Sequence, residues 1–469
     1  MAEWLRALSD GYVTIDPEDL NRKAPGPVIV RESEGPGIAP HGDVVVAVKP
    51  FYIGIGKSKG KALPEFEWQA PEEVELRRTP LFETHQQLGA KIVPFAGWEM
   101  PLRYSSVREE HMAVREKAGL FDVTHMGVYQ ADGPQAAAFL DSVCANDIAG
   151  LDIGESCYTH LLGPDAAVID DLIVYRLSRD EFLVVVNAAN DDKDWAWLNA
   201  VKDGDILIER SQPAAKAFGR GARLRDLRAE SSGADRRVDI ALQGPKSKRI
   251  LQSFKMDAAA KEQLRTLKRF RLMQAELNGI DLIISRTGYT GEWMSFELFV
   301  HPDQAVELWQ MLMKAGEKYG LLPCGLGARD SLRIEAGLPL YGQELAGPLA
   351  LGPADAGFRN FVKTYKPWFI GRDAFLAAEE QRRREVARFQ FAKGARPAHM
   401  EDPVTDGEGN LIGYVTSCSL DSRGTLTGQA WVDSKFTKQG SSIYVHAGMH
   451  GKQLAKDAQG TQAKILSRF

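Results

Sequence analysis

The sequence is poor in the features that mark specialised classes of protein. It contains only four cysteines in 469 residues, namely Cys144, Cys157, Cys324 and Cys418. None stands at Cys-x-x-Cys spacing, which disfavours a disulfide framework and a structural zinc site. No apolar run approaches the roughly 20 residues needed to span a bilayer. The N-terminus carries early acidic residues in place of the apolar core of a secretory signal. We therefore expect reduced thiols, no membrane span and a cytoplasmic location.

An excess of basic charge is also missing. The 58 Lys and Arg residues are outnumbered by 63 Asp and Glu, which gives a formal net charge of −5. Such a balance offers no electrostatic reason to bind nucleic acid or an anionic membrane. The sequence shows no cluster of His, Asp and Glu at metal-ligand spacing, so we expect no metal.

The first part of the chain differs from the rest. We interpret residues 1–76 as an N-terminal extension of unknown role, with little core of its own and a Pro/Gly-rich run at Ala24–Gly42. Within it, Gly54–Ser58 (GIGKS) suggests a phosphate-binding loop. Such a loop needs a glycine five positions before the glycine of the Gly-Lys pair, and Phe51 stands there instead. Nucleotide binding is therefore disfavoured.

The remainder is long enough for more than one core, and its periodicity predicts an α+β fold. Residues 77–386 form the predicted body of two α+β domains, and residues 387–469 form a small C-terminal β-barrel domain. The main predicted helices are Val107–Ala118, ended by Gly119, then Gln135–Cys144 and Pro302–Tyr319. The main predicted strands are Ala167–Leu177, Glu181–Ala188, Ile280–Arg286, Phe296–Val300, Ala387–Phe391, Leu411–Ser417, Leu426–Val432 and Ser442–Val445.

Two adjacent acids stand inside one of these strands, in Val168–Tyr175 (VIDDLIVY). Alternation puts Asp170 and Asp171 on opposite faces, one towards solvent and one towards the covered side of the sheet. A carboxylate on the covered side is costly unless it meets a donor. It is then either a turn cap or a functional group, and the residues alone do not decide between these.

A chain-wide resemblance does decide. The chain resembles the aminomethyltransferase, or T-protein, family of the glycine cleavage system. The blocks that carry the likeness are Arg77–Tyr104, Glu109–Gly127, VIDDLIVY, Val185–Asn190 (VVNAAN), Ala241–Pro245 (ALQGP), Ser285–Glu292 (SRTGYTGE), Gly325–Gly342 (GLGARDSLRIEAGLPLYG), Phe369–Phe375 (FIGRDAF) and Val415–Asp421 (VTSCSLD). Their common order makes the resemblance specific, although each block alone would be weak.

The resemblance implies a three-domain cloverleaf fold around a folate cavity, with a small C-terminal β-barrel. It implies transfer of a methylene group from an S-aminomethyl-dihydrolipoyl carrier protein (H-protein) to the co-substrate tetrahydrofolate, with release of ammonia. Asp171 would be the catalytic residue. The implied ligands of folate or substrate are Tyr158, Asn187, Tyr289, Glu297 and Arg329. Each of these five also has an ordinary structural interpretation, such as a turn former for Asn187 or an edge-strand glutamate for Glu297.

Three local departures from the family pattern bear on the substrate contacts. The segment GYTGE-WMS-FE is one residue longer before Glu297, which a bulge could absorb. Ala166 and Ala167 replace a Gly-Gly turn and limit positive φ there. The C-terminal tail lacks the usual Pro-Phe-Tyr ending. The main alternative is a tetrahydrofolate-dependent demethylase of a methylated small molecule on the same scaffold. A folate-binding assembly or tRNA-modification protein is a third possibility.

Overall fold

The computed structural model describes residues 60–70, 75–216, 221–366, 368–455 and 458–467, and all structural statements below concern these residues. The segment Gly54–Ser58 and most of the N-terminal extension lie outside them. No helix in the described ranges is long and apolar enough to cross a membrane.

The α-helices of the described residues lie mostly in the first four fifths of the chain. In chain order they are α1 (Phe82–Gln87), α2 (Val107–Glu116), α3 (Ala136–Val143), α4 (Asp191–Asp203), α5 (Ser247–Gln252), α6 (Ala258–Thr266), α7 (Ala305–Gly316), α8 (Leu326–Ala336) and α9 (Arg372–Gln381). Short 3₁₀ segments extend α7 at both ends, which accounts for the full predicted span Pro302–Tyr319.

The strands run throughout the described chain. In chain order they are β1 (Arg77–Arg78), β2 (Lys91–Phe95), β3 (Trp98–Arg103), β4 (Ala118–Asp122), β5 (Gly127–Asp132), β6 (Ser156–Leu162), β7 (Val168–Arg176), β8 (Glu181–Val186), β9 (Arg223–Asp226), β10 (Val238–Gln243), β11 (Leu272–Leu277), β12 (Ile280–Ser285), β13 (Ser295–Val300), β14 (Leu321–Cys324), β15 (Arg384–Phe391), β16 (Pro403–Thr405), β17 (Leu411–Leu420), β18 (Leu426–Asp433), β19 (Ser442–Val445) and β20 (Thr461–Ile465).

Two large sheets form the centre of the molecule. One has five strands in the order β6-β7-β8-β5-β9, and the other has six in the order β11-β12-β13-β10-β4-β14. They pack through a shared apolar cluster to which Tyr175 of β7, Ile283 of β12 and Phe299 of β13 belong. The opposite face of the five-stranded sheet is covered by α3 and α4, whose Phe139 and Trp197 join a second core cluster. Both faces of β7 are therefore covered.

This double covering corrects the expectation for the two adjacent acids. Neither carboxylate faces solvent, because Asp170 is 0% exposed and Asp171 is 9% exposed. Alternation still separates them: Asp171, Ile173 and Tyr175 share the face towards the six-stranded sheet. Asp170 lies on the face covered by the helices, with Leu172 and Val174.

The C-terminal strands close into a barrel in the order β15-β18-β17-β16-β19-β20, as the sequence predicted. The short β16 and the last strand β20 complete it and were not predicted. The barrel is joined to the body through Glu344, which is 0% exposed. Its carboxylate pairs with Arg333 of α8 at 2.6 Å and accepts hydrogen bonds from the hydroxyls of Thr416 and Ser417 on β17.

Two local predictions were wrong. The helix that begins at Val107 ends at Glu116, and Gly119 lies inside strand β4 instead of ending the helix. A Cβ on Gly119 would stand 2.4 Å from Val114 and 2.7 Å from the Cys324 sulfur, so glycine serves close packing there. Ala166 adopts a φ of +66° despite its side chain, so the loss of the Gly-Gly turn does not prevent a left-handed residue.

The described part of the extension packs onto the body. The Leu63 N–H donates to the Pro213 carbonyl at 2.8 Å, and the Leu207 N–H donates to the Pro64 carbonyl at 2.7 Å. Phe66 contacts the core cluster that α3 and α4 share with the five-stranded sheet. Residues 60–70 are therefore held along the outside of that layer.

Candidate active site

A cavity of about 640 Å³ lies between the two large sheets. Its walls come from β6 and β7 on one side, β10 and β13 on the other, the first turns of α8, and the loop 338–343. The volume lies within the range of small-molecule sites in enzymes. All six residues proposed from the sequence as catalytic or binding line this cavity: Tyr158, Asp171, Asn187, Tyr289, Glu297 and Arg329.

The wall formed by the five-stranded sheet presents Asp171. Tyr158, on the neighbouring strand β6, donates its hydroxyl to Asp171 Oδ2 at 2.9 Å. Asn187, directly after β8, donates its side-chain Nδ2 to Asp171 Oδ1 at 3.1 Å and to the Asp171 carbonyl at 2.8 Å. Both carboxylate oxygens are thus fixed by donors on flanking strands, so the group has one defined orientation in the cavity.

The electrostatics of this wall raise the proton affinity of Asp171. Burial, together with the charge of neighbouring Asp170, raises the pKa of Asp171 to about 7, against the lowering effect of its hydrogen bonds to Tyr158 and Asn187. Burial and the nearby Asp171 charge hold the pKa of Tyr158 well above its ordinary value, so Tyr158 stays a donor. Asp171 can therefore hold or release a proton near neutral pH.

The wall formed by the six-stranded sheet presents Glu297. It lies on β13, which pairs with β10 and β12 and is not an edge strand. Tyr175 donates its hydroxyl to Glu297 Oε2 at 2.8 Å, and Thr287 donates to the same oxygen. No described residue donates to Oε1, which leaves that oxygen for a ligand.

Asp239, on the adjacent strand β10, brings a further carboxyl to the same wall. Burial and the charge of Glu297 hold its pKa well above the ordinary value. Burial and the adjacent Glu297 charge thus favour the neutral form of this carboxyl over the charged form.

Arg329 supplies the positive charge of this wall. It lies in the first turn of α8, with its guanidinium 5.0 Å from the centre of the Tyr289 ring. Its Nη1 is buried and has no hydrogen-bond partner among the described residues. The Tyr289 hydroxyl in turn donates to the Pro339 carbonyl, which ties the loop after β12 to the loop after α8. A buried, unpaired guanidinium donor next to a carboxylate is a site prepared for a polar ligand.

The extra residue before Glu297 is not absorbed by a bulge. Ser285 pairs with Glu297, and the registers of β13 with β12 and with β10 continue without a shift. The loop between Arg286 and Met294 takes up the additional length, and Trp293 on this loop is 70% exposed at the cavity mouth. The strand register of Glu297 is therefore preserved.

His125 also lines the cavity, as a neutral imidazole. Burial lowers its pKa to about 4, although Asp122 acts in the opposite direction. Its Nδ1 is buried without a hydrogen-bond partner among the described residues. Burial alone would raise the pKa of Asp122, but the hydrogen bond and charge of His85 outweigh it and lower that pKa to about 2. The imidazole thus offers a neutral polar edge.

Sequence reasoning missed the residues that support the two carboxylates. Tyr175 and Thr287 hold Glu297, and Asp239 lies beside it. A signal for Tyr175 was present, because it stands four residues after Asp171 on the same face of β7. Thr287 and Asp239 carried no local signal, since their roles depend on the pairing of distant strands.

Comparison with known proteins gives consistent matches. Residues 81–366 match the family model described as the GCVT N-terminal domain. The aminomethyltransferase of Desulfitobacterium hafniense (strain Y51) is 41% identical over 350 residues, covering 74% of this chain and 87% of that protein. The aminomethyltransferase of Symbiobacterium thermophilum is 42% identical over 349 residues, covering 74% and 86%. The crystal structure of glycine cleavage system aminomethyltransferase T from Bartonella henselae aligns with a TM-score of 0.69 at 30% identity, covering 84% of this chain and 97% of that one.

Together with these matches, the α+β body, the closed barrel and the cavity between two sheets place the chain among the transferase enzymes with a small-molecule site. Within that class, the chain belongs to the aminomethyltransferase family of the glycine cleavage system. The resemblance seen in the sequence, and the fold it implied, are confirmed.

The cavity fits the folate that this family uses. A pterin presents a row of N–H donors, which Glu297 Oε1 can accept, and carbonyl and ring acceptors, which Arg329 Nη1 can serve. Among the described residues, no group of three or more His, Cys, Asp or Glu side chains is placed to hold a metal ion.

Proposed function

We propose that this enzyme transfers the methylene group of an S-aminomethyl-dihydrolipoyl carrier protein to tetrahydrofolate and releases ammonia. The observation that supports this proposal best is Asp171, fixed by Tyr158 and Asn187 at the wall of a cavity whose opposite wall carries Glu297 and Arg329. Tetrahydrofolate supplies the amine nitrogens that accept the carbon. All other contributions come from the residues of this chain.

Binding and orientation fall to the wall with Glu297. A carboxylate whose position is fixed by Tyr175 and Thr287 presents one free oxygen, and a guanidinium with an unpaired Nη1 stands beside it. Paired charge-assisted hydrogen bonds select a planar ligand in one orientation. Tyr289 and the rings of Phe358 and Phe361, which also line the cavity, provide apolar faces for flat rings.

Asp171 is proposed as the catalytic residue. The methylene carbon leaves the sulfur of the lipoyl arm, which becomes a thiol, and the amine, which leaves as ammonia, and it joins the nitrogens of tetrahydrofolate. Positive charge that develops on this carbon is stabilised by a fixed, buried carboxylate. Because its pKa lies at about 7, the same group can also take up or release a proton at neutral pH. Tyr158 and Asn187 keep its oxygens aimed into the cavity.

The proposed partner is a lipoylated carrier protein, the H-protein of glycine cleavage, because the proposed one-carbon donor is carried on a lipoyl arm. The division of the chain into residues 1–76, 77–386 and 387–469 stays a prediction. The closed barrel begins with β15 at Arg384. The cytoplasmic location and the absence of a metal also stay predictions.

The deciding experiment mixes the pure protein with aminomethylated lipoyl carrier and tetrahydrofolate and follows methylene-tetrahydrofolate and ammonia. Stoichiometric formation of both supports the proposal. Tight binding of tetrahydrofolate without product would contradict it and would direct the search to methylated small molecules as donors, the demethylase alternative. An Asp171→Asn protein run in parallel reports any product that forms without the catalytic carboxylate.

A further inference from the structure

A chain of buried carboxyl groups continues from the cavity wall into the core. Behind Asp171, on the other face of β7, lies Asp170, and beyond it lies Asp194 of α4. Asp170 and Asp194 are both 0% exposed. Neither belongs to the cavity lining, so ligand binding does not account for them.

The Asp170 carboxylate accepts several hydrogen bonds. It accepts from the Asn187 backbone N–H at 3.0 Å and from Asn187 Nδ2 at 2.9 Å. Asn190 Nδ2 donates to it as well. Asn187 is the same residue that fixes Asp171, so the position of Asp170 determines the position of a donor in the active site.

Asp194 differs from Asp170 in that no residue in the described part of the chain donates to it. Both of its carboxyl oxygens are buried and accept no hydrogen bond from the described residues. Its side chain interacts directly with the carboxyl of Asp170. Two buried carboxyl groups in contact can be hydrogen-bonded only if one of them carries a proton. Burial raises the pKa of Asp170, but the hydrogen bonds from Asn187 and Asn190 act against that rise. No described residue donates to Asp194, so the proton is better placed there.

The surrounding charges agree with this placement. Burial and the charge of Asp170 hold the pKa of Asp194 well above its ordinary value. The charged and titratable groups that face Asp194 and Asp170 from the packed elements are Asp171 on β7, Tyr129 on β5, and Asp191 and Lys193 on α4, with Arg228 paired to Asp191. The charge of Lys193 lowers the pKa of Asp194. The Lys193 amine, however, donates its hydrogen bonds to the Ile169 carbonyl, the Asn190 side chain and the Tyr341 hydroxyl.

We propose that Asp194 is a positioning residue that stays protonated and donates a hydrogen bond to Asp170, thereby keeping Asp170 ionised and holding Asn187 against Asp171. The proton resides on a carboxyl oxygen of Asp194, and no bond is made or broken during turnover. The inference deepens the function proposed above and rests on it for the kinetic readout alone.

The structure distinguishes two substitutions. Asp194→Asn keeps a donor towards Asp170, so the Asp170 charge and the Asn187 bridge remain. Asp194→Ala removes the donor, which raises the proton affinity of Asp170. A protonated Asp170 no longer raises the pKa of Asp171. Asp171 then titrates at lower pH, and Asn187 loses an ionised acceptor.

The test follows the pH dependence of kcat and, separately, a ¹³C NMR titration of the Asp171 carboxyl carbon in the substrate-free protein. The Asp171 signal is identified by its loss in Asp171→Asn. We expect Asp194→Ala to move the midpoint of the kcat profile and the midpoint of the NMR titration about one pH unit lower. We also expect it to reduce kcat about tenfold. Asp194→Asn should leave both midpoints in place and kcat within about twofold. Asp192→Ala, an exposed acid of the same helical turn, is the matched control for the loss of a negative charge at the start of α4.

The NMR titration separates this inference from the function itself. If the wild type makes no methylene-tetrahydrofolate but the Asp171 midpoint moves in Asp194→Ala and not in Asp194→Asn, the proposed function fails and the positioning role stands. If Asp194→Ala folds, as circular dichroism would show, and leaves the midpoint unchanged, the positioning role is overturned. Identical behaviour of the Asn and Ala variants would overturn it as well.

Discussion

The two walls of the cavity each hold one buried carboxylate, but the groups around the two carboxylates differ. Each presents one buried carboxylate that accepts from a tyrosine hydroxyl: Asp171 from Tyr158, and Glu297 from Tyr175. Behind Asp171 lies a second acid, Asp170, whose charge raises the pKa of Asp171, whereas beside Glu297 lie the guanidinium of Arg329 and the buried carboxyl of Asp239. The charge of Asp170 raises the pKa of Asp171, whereas the Arg329 guanidinium beside Glu297 makes that wall suited to a polar ligand. The neighbouring groups, more than the carboxylate itself, therefore distinguish the wall proposed for catalysis from the wall proposed for binding.

The largest effect is expected from neutralising Asp171, on the wall proposed for catalysis. Asp171→Asn should reduce kcat by on the order of 10²–10⁴-fold, the range associated with a positioned acid or base. The affinity for tetrahydrofolate, measured by calorimetry, should stay within a few-fold, because the binding wall is intact. A variant that turns over near the wild-type rate would remove Asp171 from the mechanism.

Substitution of Glu297, on the wall proposed for binding, should affect tetrahydrofolate binding more than kcat. Glu297→Gln replaces a charge-assisted acceptor, whose hydrogen bonds contribute about 1.5–3 kcal/mol, and should weaken tetrahydrofolate binding roughly 10- to 100-fold. At saturating folate, kcat should fall far less. Glu276→Gln, at an exposed position on β11 of the same sheet, is the matched control. An unchanged dissociation constant would contradict the assignment of Glu297.

The two tyrosines give a smaller and more discriminating test. Tyr158→Phe removes a hydrogen bond that lowers the pKa of Asp171. The acid limb of the plot of kcat against pH should therefore move to higher pH, and kcat at neutral pH should fall several-fold. Tyr175→Phe should raise the KM for folate several-fold and leave the limb in place. If both variants shift the limb equally, the distinction between the walls is wrong.

The smallest effect concerns stability. Asp171 has a folded-state pKa of about 7, above the value of about 3.9 expected in the unfolded chain. Its contribution to stability is therefore fully present below about pH 3.9 and is lost as the pH rises towards 7. Asn does not titrate, so the melting temperature of Asp171→Asn relative to wild type should increase by a few degrees between pH 4 and pH 7. A difference that is constant over this range would contradict the raised pKa.

Sequence reasoning predicted the scaffold and the cavity residues but not their support. Periodicity predicted the hairpin of β7 and β8 and the barrel, because local side-chain alternation decides them. It could not show that α4 covers the outer face of β7, and so it expected one of the acids in VIDD to face solvent. Ala166 shows the same limit, since it adopts a positive φ that its residue type disfavours. No sequence pattern points to Asp194, because the role proposed for it depends on a contact across the sheet–helix interface.

The buried Glu344 that joins the barrel to α8 limits how the chain can be shortened. A protein cut before β15 would lose the Thr416 and Ser417 hydroxyls and leave Glu344 and Arg333 facing water on one side. The loop 338–343, which those charges brace, forms part of the cavity wall. The barrel is therefore a structural requirement of the cavity, and recombining this body with a barrel from a relative would need a matching pair of hydroxyls at those two positions.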